Sequence, residues 1–208
     1  MITAPSRFIS NFCSWARTAC CAVILISSAV LAPTAFAEPE ELIWKDLLPP
    51  GEENVLNKLY DEFYLELEER FDRAYAEAEP LSEADPNATD PFAEGGALDV
   101  MPQIGTFNVV DDLDGLDVRL PGYIVPLSFK QNNKYDEFLL VPYFGACLHT
   151  PPPPPNQIVY VMANETIKIE DIWSPYWIEG TMHTKRHENE TGDAAYTLSL
   201  SKLTLYDN

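Results

Sequence analysis

The chain contains 208 residues, of which 46% are hydrophobic, and its 33 acidic and 13 basic residues give a formal net charge of −20 at pH 7. This acidic excess argues against a protein that binds nucleic acid or anionic membrane surfaces, because both kinds of partner require a cationic patch. It fits an exported protein kept dispersed by self-repulsion, or one that meets cationic partners.

The first 37 residues have the composition of a cleaved export signal. Arg7 and Arg17 form a basic beginning, no acidic residue precedes Glu38, and Cys20–Leu31 is an apolar stretch. Ala35-Phe36-Ala37 then supplies the small-x-small pattern that signal peptidase recognises. The apolar stretch is shorter than the roughly 18 to 20 residues that span a bilayer. We therefore expect cleavage after Ala37, a periplasmic location and no transmembrane segment in the mature chain.

Processing at this point changes the cysteine content and the charge. Cys13, Cys20 and Cys21 leave with the signal, and Cys147 remains as the single thiol. The remaining 171 residues carry 11 basic and 33 acidic residues, a net charge of −22, and suit one domain with appendages. Without an internal disulfide, the thiol must be buried, paired with a partner or used.

Residues 38–80 are predicted to form a docking segment followed by a helix. Glu38–Gly51 carries several apolar side chains and ends at Pro49-Pro50-Gly51, so we expect a short segment that packs against the body of the domain. In Glu52–Ala78, apolar residues recur at steps of three and four with acids between them, which is typical of an amphipathic helix. Its apolar stripe would pack on the domain or receive a partner.

Residues 81–97 are polar, acidic and proline-bearing, which predicts a flexible linker. From residue 98 to residue 208 the pattern changes to short apolar or alternating segments bounded by turn residues. The predicted strands are Gly105–Val110, Asp117–Leu127, Glu137–Tyr143, Gln157–Met162, Pro175–Thr184 and Ala195–Tyr206. Turns are predicted at Asp111–Gly115, Asn132-Asn133 and Asn164-Glu165, and a bulge or bend at Pro121-Gly122.

These short strands, with glycine at the bends, predict a mainly β fold. We expect a small antiparallel, OB-like β-barrel or sandwich, preceded by one long amphipathic helix. The strand pair formed by Trp177-Ile178-Glu179-Gly180-Thr181 and the alternating segment Ala195–Tyr206 is a frequent ending of OB-type barrels.

Cys147 and His149 are the first candidate site. Two residues apart on an extended chain, their side chains would share one face. They suit three roles: ligands of a zinc or copper ion, a thiol activated by the imidazole, or a small apolar filler beside an anchoring ring. A metal site would need further ligands, and the obvious sources are His183, His187 and Glu188.

A run of five prolines follows and forms the second candidate site. It should adopt a polyproline II course without ladder hydrogen bonds. Such runs dock on aromatic grooves of partners, but this one can also pack on the domain's own aromatic side chains as a rigid crossover. The candidate partner-binding residues are Pro151, Pro152, Pro153, Pro154, Pro155, Asn156 and Gln157. The domain's own aromatic candidates are Tyr143, Phe144, Tyr160, Trp173, Tyr176 and Trp177.

Three blocks carry a family resemblance: Arg119–Leu127 (RLPGYIVPL), Leu140–Pro154 (LVPYFGACLHTPPPP) and Asn156–Val159 (NQIV). They resemble DUF3299, a bacterial family of exported proteins known only as a domain of unknown function. The similarity spans about residues 98–206, which would leave the helix and the linker outside the family. Because some members are encoded beside ABC-type export or metal-uptake components, the resemblance implies an accessory role in transport or metal handling.

We therefore expect an exported envelope domain for binding or adaptor functions, with an envelope protein or a transporter component as its partner. The sequence contains no phosphate-binding glycine loop, acyl-transfer serine motif or dinucleotide fingerprint, which disfavours an enzyme. Two alternatives stay open: a thiol-dependent enzyme that uses Cys147 and His149, and a purely structural subunit of an envelope complex.

Overall fold

The fold is built from short strands behind one long helix. A computed structural model describes residues 38–77, 101–127, 133–146 and 151–206, all within the compact unit Ala37–Asn208. In chain order, its strands and helix are β1 (Glu40–Glu41), α1 (Glu52–Glu77), β2 (Asp117–Pro126), β3 (Lys134–Val141), β4 (Val159–Lys168), β5 (Tyr176–His183) and β6 (Tyr196–Leu205). Short 3-10 turns lie at Trp44–Leu47, Asp111–Leu113 and Pro155–Gln157.

Five of these strands close into a barrel. The order is β2-β3-β4-β6-β5, and β5 pairs back with β2. Four of the five junctions are antiparallel, whereas β4 and β6 run parallel. β1 adds an extra, parallel strand to the beginning of β2. The OB-like barrel and the long helix before it are therefore confirmed, with one parallel junction that an antiparallel barrel does not have.

The dipeptide Pro121-Gly122 marks the place where β2 changes partner. β2 pairs with β5 from Asp117 to Gly122 and with β3 from Tyr123 onward. A Cβ atom at Gly122 would lie 2.8 Å from both the Leu140 side chain and the Val141 carbonyl oxygen, so only glycine fits this crossing. The interruption predicted within the strand is thus a corner of the barrel.

Two local predictions were wrong. Gly105–Val110 contains no strand, since its polar groups are engaged elsewhere: the Val110 N–H, for example, donates to the Tyr196 hydroxyl. The turn predicted at Asn164-Glu165 lies inside β4. Tyr135 pairs with Ile167 and Glu137 pairs with Met162, so an advance of two residues along β3 corresponds to five residues along β4. The extra residues of β4 form a bulge, and the turn-forming residues lie in this bulge and not in a chain reversal.

Side chains alternate between two apolar clusters. The larger cluster fills the barrel and includes Leu120, Phe138, Leu140, Val161 and Leu198. The smaller one lies on the outer face of β3 and β4, and it consists of Leu139, Val141, Ala146, Ile158, Tyr160 and Ala194. Because adjacent residues such as Leu139 and Leu140 belong to different clusters, β3 is apolar on both faces.

The segment before α1 enters the main core. Leu42 and Leu47 are buried there, and the Tyr196 hydroxyl donates to the Leu47 carbonyl oxygen over 2.7 Å. Leu56 and Leu67 of α1 are also buried, although they belong to neither cluster. Within the described residues, no helix is both long and apolar enough to cross a bilayer.

Candidate functional site

The segment Cys147–Thr150 lies outside the described residues, and so do the predicted metal ligands Cys147 and His149. The chain on both sides of it is described. Tyr143–Ala146 leaves β3, and Pro151–Gln157 leads into β4. We call the second stretch the proline corner.

The proline corner is largely internal. Pro153, Pro154, Pro155 and Asn156 are buried, whereas Pro151, Pro152 and Gln157 are half-buried. A partner therefore cannot reach the four buried side chains while the domain is folded in this way. The expectation that the whole run is open to a partner does not fit them, and their burial favours the alternative of an internal crossover.

Asn156 fastens this crossover to the start of α1. Its side-chain amide Nδ2 donates to Glu52 Oε1 over 3.2 Å, to the Thr106 hydroxyl over 3.3 Å and to the Asn108 carbonyl oxygen over 3.2 Å. Glu52, the first residue of α1, also accepts hydrogen bonds from the Thr106 hydroxyl and, over 3.0 Å, from Asn108 Nδ2. Glu52 as a whole is only 4% exposed, so these donors take the place of water around its carboxylate.

Neighbouring groups tie the corner to other segments. Gln157 Nε2 donates to the Trp44 carbonyl oxygen over 2.8 Å, and the Ala195 N–H donates to the Pro155 carbonyl oxygen over 2.7 Å. Gln103 Nε2 donates to the Pro153 carbonyl oxygen over 2.8 Å. The sequence Pro-Asn-Gln therefore joins the N-terminal segment, the helix and the residue that precedes the last strand, which is a structural role.

The residues that precede position 147 help to line an open cleft of about 350 Å³, which we call the aromatic cleft. Its walls come from β2, from the last residue of β3 and from three loops. The lining residues are Tyr123, Ile124, Val125, Pro126, Val141, Phe144, Gly145, Ala146, Ile172, Trp173 and Thr191. None of these side chains is charged, and the volume falls within the roughly 300 to 1,000 Å³ of typical ligand sites.

Three aromatic rings meet at this cleft, and the Phe144 ring contacts the other two. The Phe144 ring lies 6.0 Å from the Tyr123 ring in an edge-on arrangement and 5.3 Å from the Trp173 ring, measured between centroids. Phe144 is 50% exposed and Trp173 is 66% exposed, and the adjacent Tyr143 is 47% exposed. Large apolar side chains are thus presented to solvent next to one another.

The Trp173 loop is held in place by Asp171. Asp171 Oδ1 accepts the Trp173 N–H over 2.9 Å, and Oδ2 accepts the Ser174 hydroxyl over 2.6 Å. These two hydrogen bonds, led by the one from Ser174, hold the pKa of the Asp171 carboxyl below its ordinary value. The Tyr176 hydroxyl also donates to the Asp171 carbonyl oxygen over 2.9 Å. The exposed indole is therefore carried by a fixed turn.

The two described histidines lie in different surroundings. His183 Nδ1 is 3.8 Å from Asp114 Oδ1, and its Nε2 is 3.4 Å from the Ser199 hydroxyl. The His187 ring instead stacks on Tyr160, with 3.5 Å between centroids. Glu188 pairs with Arg186 over 2.6 Å. Among the described side chains, no group of three His, Cys, Asp or Glu residues is arranged to hold a metal ion.

Tyr160 belongs to the outer apolar cluster but keeps its hydroxyl paired. The hydroxyl donates to Glu137 Oε2 over 2.8 Å. Burial, and then the hydrogen bond to the Glu137 carboxylate, raises the pKa of Tyr160 to about 12. Tyr160 therefore stays a neutral donor at any physiological pH.

Comparison with known proteins places the chain in a family. The model of DUF3299, described as a protein of unknown function, matches residues 44–205. The chain belongs to DUF3299. A crystal structure of a DUF3299 family protein from Pseudomonas aeruginosa PAO1 is 33% identical, covers 82% of this chain and 98% of its own, and has a TM-score of 0.53. No curated protein matches the chain at a significant level.

The DUF3299 match also corrects one expectation. It begins at residue 44 and therefore includes α1, which the sequence resemblance had left outside the family. The contacts explain this, because Glu52 at the start of α1 bonds to the side chains of Asn108 and Asn156 in the barrel domain. In this chain, the beginning of the helix and the proline corner are therefore joined by hydrogen bonds.

The sequence did not identify the aromatic cleft. Phe144 and Trp173 appeared only as candidates for packing against the proline run, whereas they contact each other and remain exposed. They are 29 positions apart, so no local pattern joins them. The available signal was the turn sequence Asp171-Ile172-Trp173-Ser174, in which the Asp side chain can bond to the backbone two residues on.

Proposed function

We propose that the chain is an exported, non-enzymatic binding or adaptor domain that engages an envelope partner through the aromatic cleft. The observation that carries this proposal is the pair of exposed rings, Phe144 and Trp173, at an uncharged apolar cleft. The accessory role in a transport or metal-handling system that the family resemblance implies is compatible with such a domain.

The rigidity of the cleft supports a binding role. Tyr123 and Val125 belong to β2 and Val141 to β3, so one wall consists of barrel strands. The Trp173 turn is fixed by Asp171. Exposed aromatic side chains that are already ordered lose little conformational entropy on binding, and Trp is enriched among the residues that dominate binding energies.

The proposal is tested by photo-crosslinking in the producing cell. Benzoyl-phenylalanine placed at Trp173 should give an adduct with a specific exported protein, identified by mass spectrometry. The same residue placed at Leu205, which is 52% exposed on β6 outside the cleft, serves as the control. Adducts that are absent at Trp173, or that are the same at both positions, would rule out the cleft as the binding site.

A second candidate concerns the thiol. Cys147 directly follows Ala146, which lines the cleft, so a metal ion or thiol chemistry beside the binding site is a specific alternative. Metal analysis of the reduced protein, with Cys147→Ser and His149→Ala as controls, tests the metal. Substoichiometric metal that does not differ among the three proteins excludes it.

The thiol-dependent enzyme is tested separately by the pH dependence of iodoacetamide labelling. An imidazole-activated Cys147 should react well below the ordinary thiol pKa of about 8.5. Labelling that begins only near that pH, or a native thiol that stays unreactive, contradicts the enzyme and leaves the binding domain standing.

A further inference from the structure

We infer that the exposed side of α1 docks a cationic amphipathic helix of a partner protein. The surface consists of six residues, which we call the outer face of α1: Asp61, Tyr64, Leu65, Glu68, Asp72 and Tyr75. None of them lines the aromatic cleft, so the inference adds a second interaction surface to the proposed function.

The helix has one covered side and one open side. The apolar residues on the covered side recur at steps of three and four and are buried or half-buried: Leu56, Leu59, Phe63, Leu67 and Phe71. All six residues of the outer face are exposed, and the exposed fractions of Tyr64, Leu65 and Tyr75 are 54%, 64% and 69%. The apolar residues that α1 exposes are thus a different set from those that it buries.

The spacing of the outer face indicates that its occupant is a helix. Asp61, Leu65, Glu68, Asp72 and Tyr75 follow one another at alternating steps of four and three, and Tyr64 adjoins Leu65. Alternating steps of three and four keep side chains in one line along a helix, which is the spacing at which two helices contact each other. A partner helix can therefore lie along this line and contact each of its residues.

The charge of the outer face determines which helix fits. Within the part of the chain that the structure describes, the carboxylates of Asp61, Glu68 and Asp72 form no ion pair. The only basic residue near them on this side, Lys58, already pairs with Glu62 over 3.6 Å. Polar residues at helix contacts select the partner, because like charges repel and opposite charges attract.

A second copy of α1 is therefore a poor occupant. The helix carries nine acidic and three basic residues, a net charge of −6, and two outer faces would bring their carboxylates together. A helix with lysine or arginine beside its apolar residues would instead pair with these carboxylates and cover Tyr64 and Leu65. The observations thus favour a cationic amphipathic helix of another protein.

The aromatic ring at the centre of the outer face is already supported. The Tyr64 ring stacks on Tyr60 with 6.4 Å between centroids, and it meets the Phe63 ring edge-on at 5.5 Å. Because Tyr60 and Phe63 are half-buried, they hold the exposed ring against the covered side of α1. A ring that is held in this way loses little conformational entropy when a partner covers it.

The experiment is calorimetric titration of the purified full protein with synthetic peptides at low salt. The probe is a two-heptad peptide of leucine and lysine with its leucines on one helical face. One control has the same composition in an order that spreads the leucines around the helix, and a second control has glutamate in place of lysine. We expect the probe to bind, the reordered peptide to bind at least about tenfold more weakly, and the glutamate peptide not to bind.

An apolar variant tests the contribution of the exposed side chains. Tyr64→Ala combined with Leu65→Ala should weaken probe binding at least about tenfold, which corresponds to about 1.4 kcal/mol. Trp173→Ala should leave probe binding unchanged, because Trp173 belongs to the aromatic cleft. The unfolding midpoint of each variant shows whether it is folded.

A charge variant and its matched control separate a specific surface from the general attraction between an acidic protein and a cationic peptide. The charge variant combines Asp61→Asn, Glu68→Gln and Asp72→Asn, and it should also weaken binding at least about tenfold. The control removes the same charge from exposed positions outside α1 by combining Asp111→Asn, Asp112→Asn and Glu165→Gln, and it should leave binding nearly unchanged.

Every other outcome overturns the inference. Equal losses in the charge variant and its control would mean that the peptide responds only to net charge. Equal binding of the reordered peptide, or binding that is indifferent to the loss of Tyr64 and Leu65, excludes recognition of an amphipathic helix. Loss of binding in Trp173→Ala would place the peptide in the aromatic cleft. Absence of probe binding with the crosslink at Trp173 retained rejects the outer face and leaves the proposed function intact.

Discussion

The aromatic cleft is lined in part by residues that precede position 147 in the sequence, the proline corner begins at position 151, and the two regions use their side chains in opposite ways. In the corner, the Asn156 amide and the Glu52 carboxylate are buried and bonded to each other and to neighbouring segments. In the cleft, the rings of Phe144 and Trp173 remain half or more exposed. The corner completes the fold, whereas the cleft offers surface.

This difference shows that a conspicuous sequence can serve the fold, while a less conspicuous one can supply an exposed surface. The Pro-Asn-Gln sequence is conspicuous because it ends a run of five prolines, but its polar groups are hydrogen-bonded within the domain itself. The exposed rings lie on a less conspicuous sequence and are held in position without being covered. Substitutions should therefore affect stability in the corner and binding in the cleft, and four predictions test this division.

The largest effect is expected for Asn156→Asp. It would replace a donor 3.2 Å from Glu52 Oε1 by a second buried carboxylate. Because an uncompensated buried charge costs about 3 to 5 kcal/mol, we expect the free energy of unfolding to fall by about 4 kcal/mol at neutral pH. Urea denaturation followed by circular dichroism measures the loss.

Two further observations make this prediction specific. The loss should shrink towards acidic pH, because protonation of one carboxyl removes the repulsion and restores a donor. Asn156→Ala, which removes the donor without adding a charge, should cost less, about 2 kcal/mol. If Asn156→Asp unfolds at the same urea concentration as the native protein, the Glu52 network does not stabilise the corner.

The second effect in size is expected for Gly105→Ala, which tests the close packing of the corner. Gly105 has a φ of +145°, and a Cβ atom there would lie 2.6 Å from Pro154 Cβ. Backbone strain and steric overlap, each worth about 1 to 3 kcal/mol, should together lower the free energy of unfolding by about 3 kcal/mol.

Gly115→Ala is the matched control: Gly115 also has a positive φ, +81°, but nothing lies within 4 Å of its Cβ position. Equal losses in the two variants would mean that packing against Pro154 contributes nothing.

The barrel was predictable because its strands carry their own pattern. β6 alternates at period two, and β5 and β2 are bounded by turn residues, so each signal lies within about ten residues. The parallel junction between β4 and β6 was not predictable, because pairing depends on the path of the whole chain. The turn predicted at Asn164-Glu165 was wrong for a similar reason: turn-forming residues also occur in bulges, and only the pairing of β4 with β3 distinguishes the two.

The two regions were less predictable than the barrel because they are made of distant residues. Glu52 and Asn156 are 104 positions apart, and neither signals a buried network by itself. Phe138 and Phe144 are the same residue type six positions apart, yet Phe138 is fully buried and Phe144 is half exposed. Whether a ring is core or surface depends on the tertiary fold, which residue type alone does not report.

The third effect is a loss of stability at alkaline pH. Tyr196 is fully buried beside the corner, and its hydroxyl donates to the Leu47 carbonyl oxygen and accepts the Val110 N–H. Burial raises the pKa of Tyr196 from 10.0 to about 12, even though the Val110 hydrogen bond lowers it. The unfolded chain therefore loses its proton first, and the free energy of unfolding should fall between about pH 10 and pH 12 by on the order of 2 kcal/mol from this residue.

Urea midpoints measured across this pH range, for the native protein and for Tyr196→Phe, check the alkaline effect. Tyr60 and Tyr160 also have pKa values raised to about 12. The free energy of unfolding of Tyr196→Phe should therefore still fall with rising pH, but less steeply than that of the native protein. Identical slopes in the two proteins would show that water reaches the Tyr196 hydroxyl.

The smallest effect on stability is expected for Trp173→Ala, and this makes it the decisive test of the division. The indole is 66% exposed and contacts the Phe144 ring at the surface, so its removal should change the free energy of unfolding by less than about 0.5 kcal/mol. The turn should persist in the variant, because the backbone N–H at this position can still donate to Asp171 and the Ser174 hydroxyl is unchanged.

Urea denaturation of Trp173→Ala, compared with Leu205→Ala as the control, gives the measurement. A loss above about 2 kcal/mol, the size expected of a core truncation, would mean that Trp173 supports the fold as the corner does. The exposed rings would then be explained by stability without any partner.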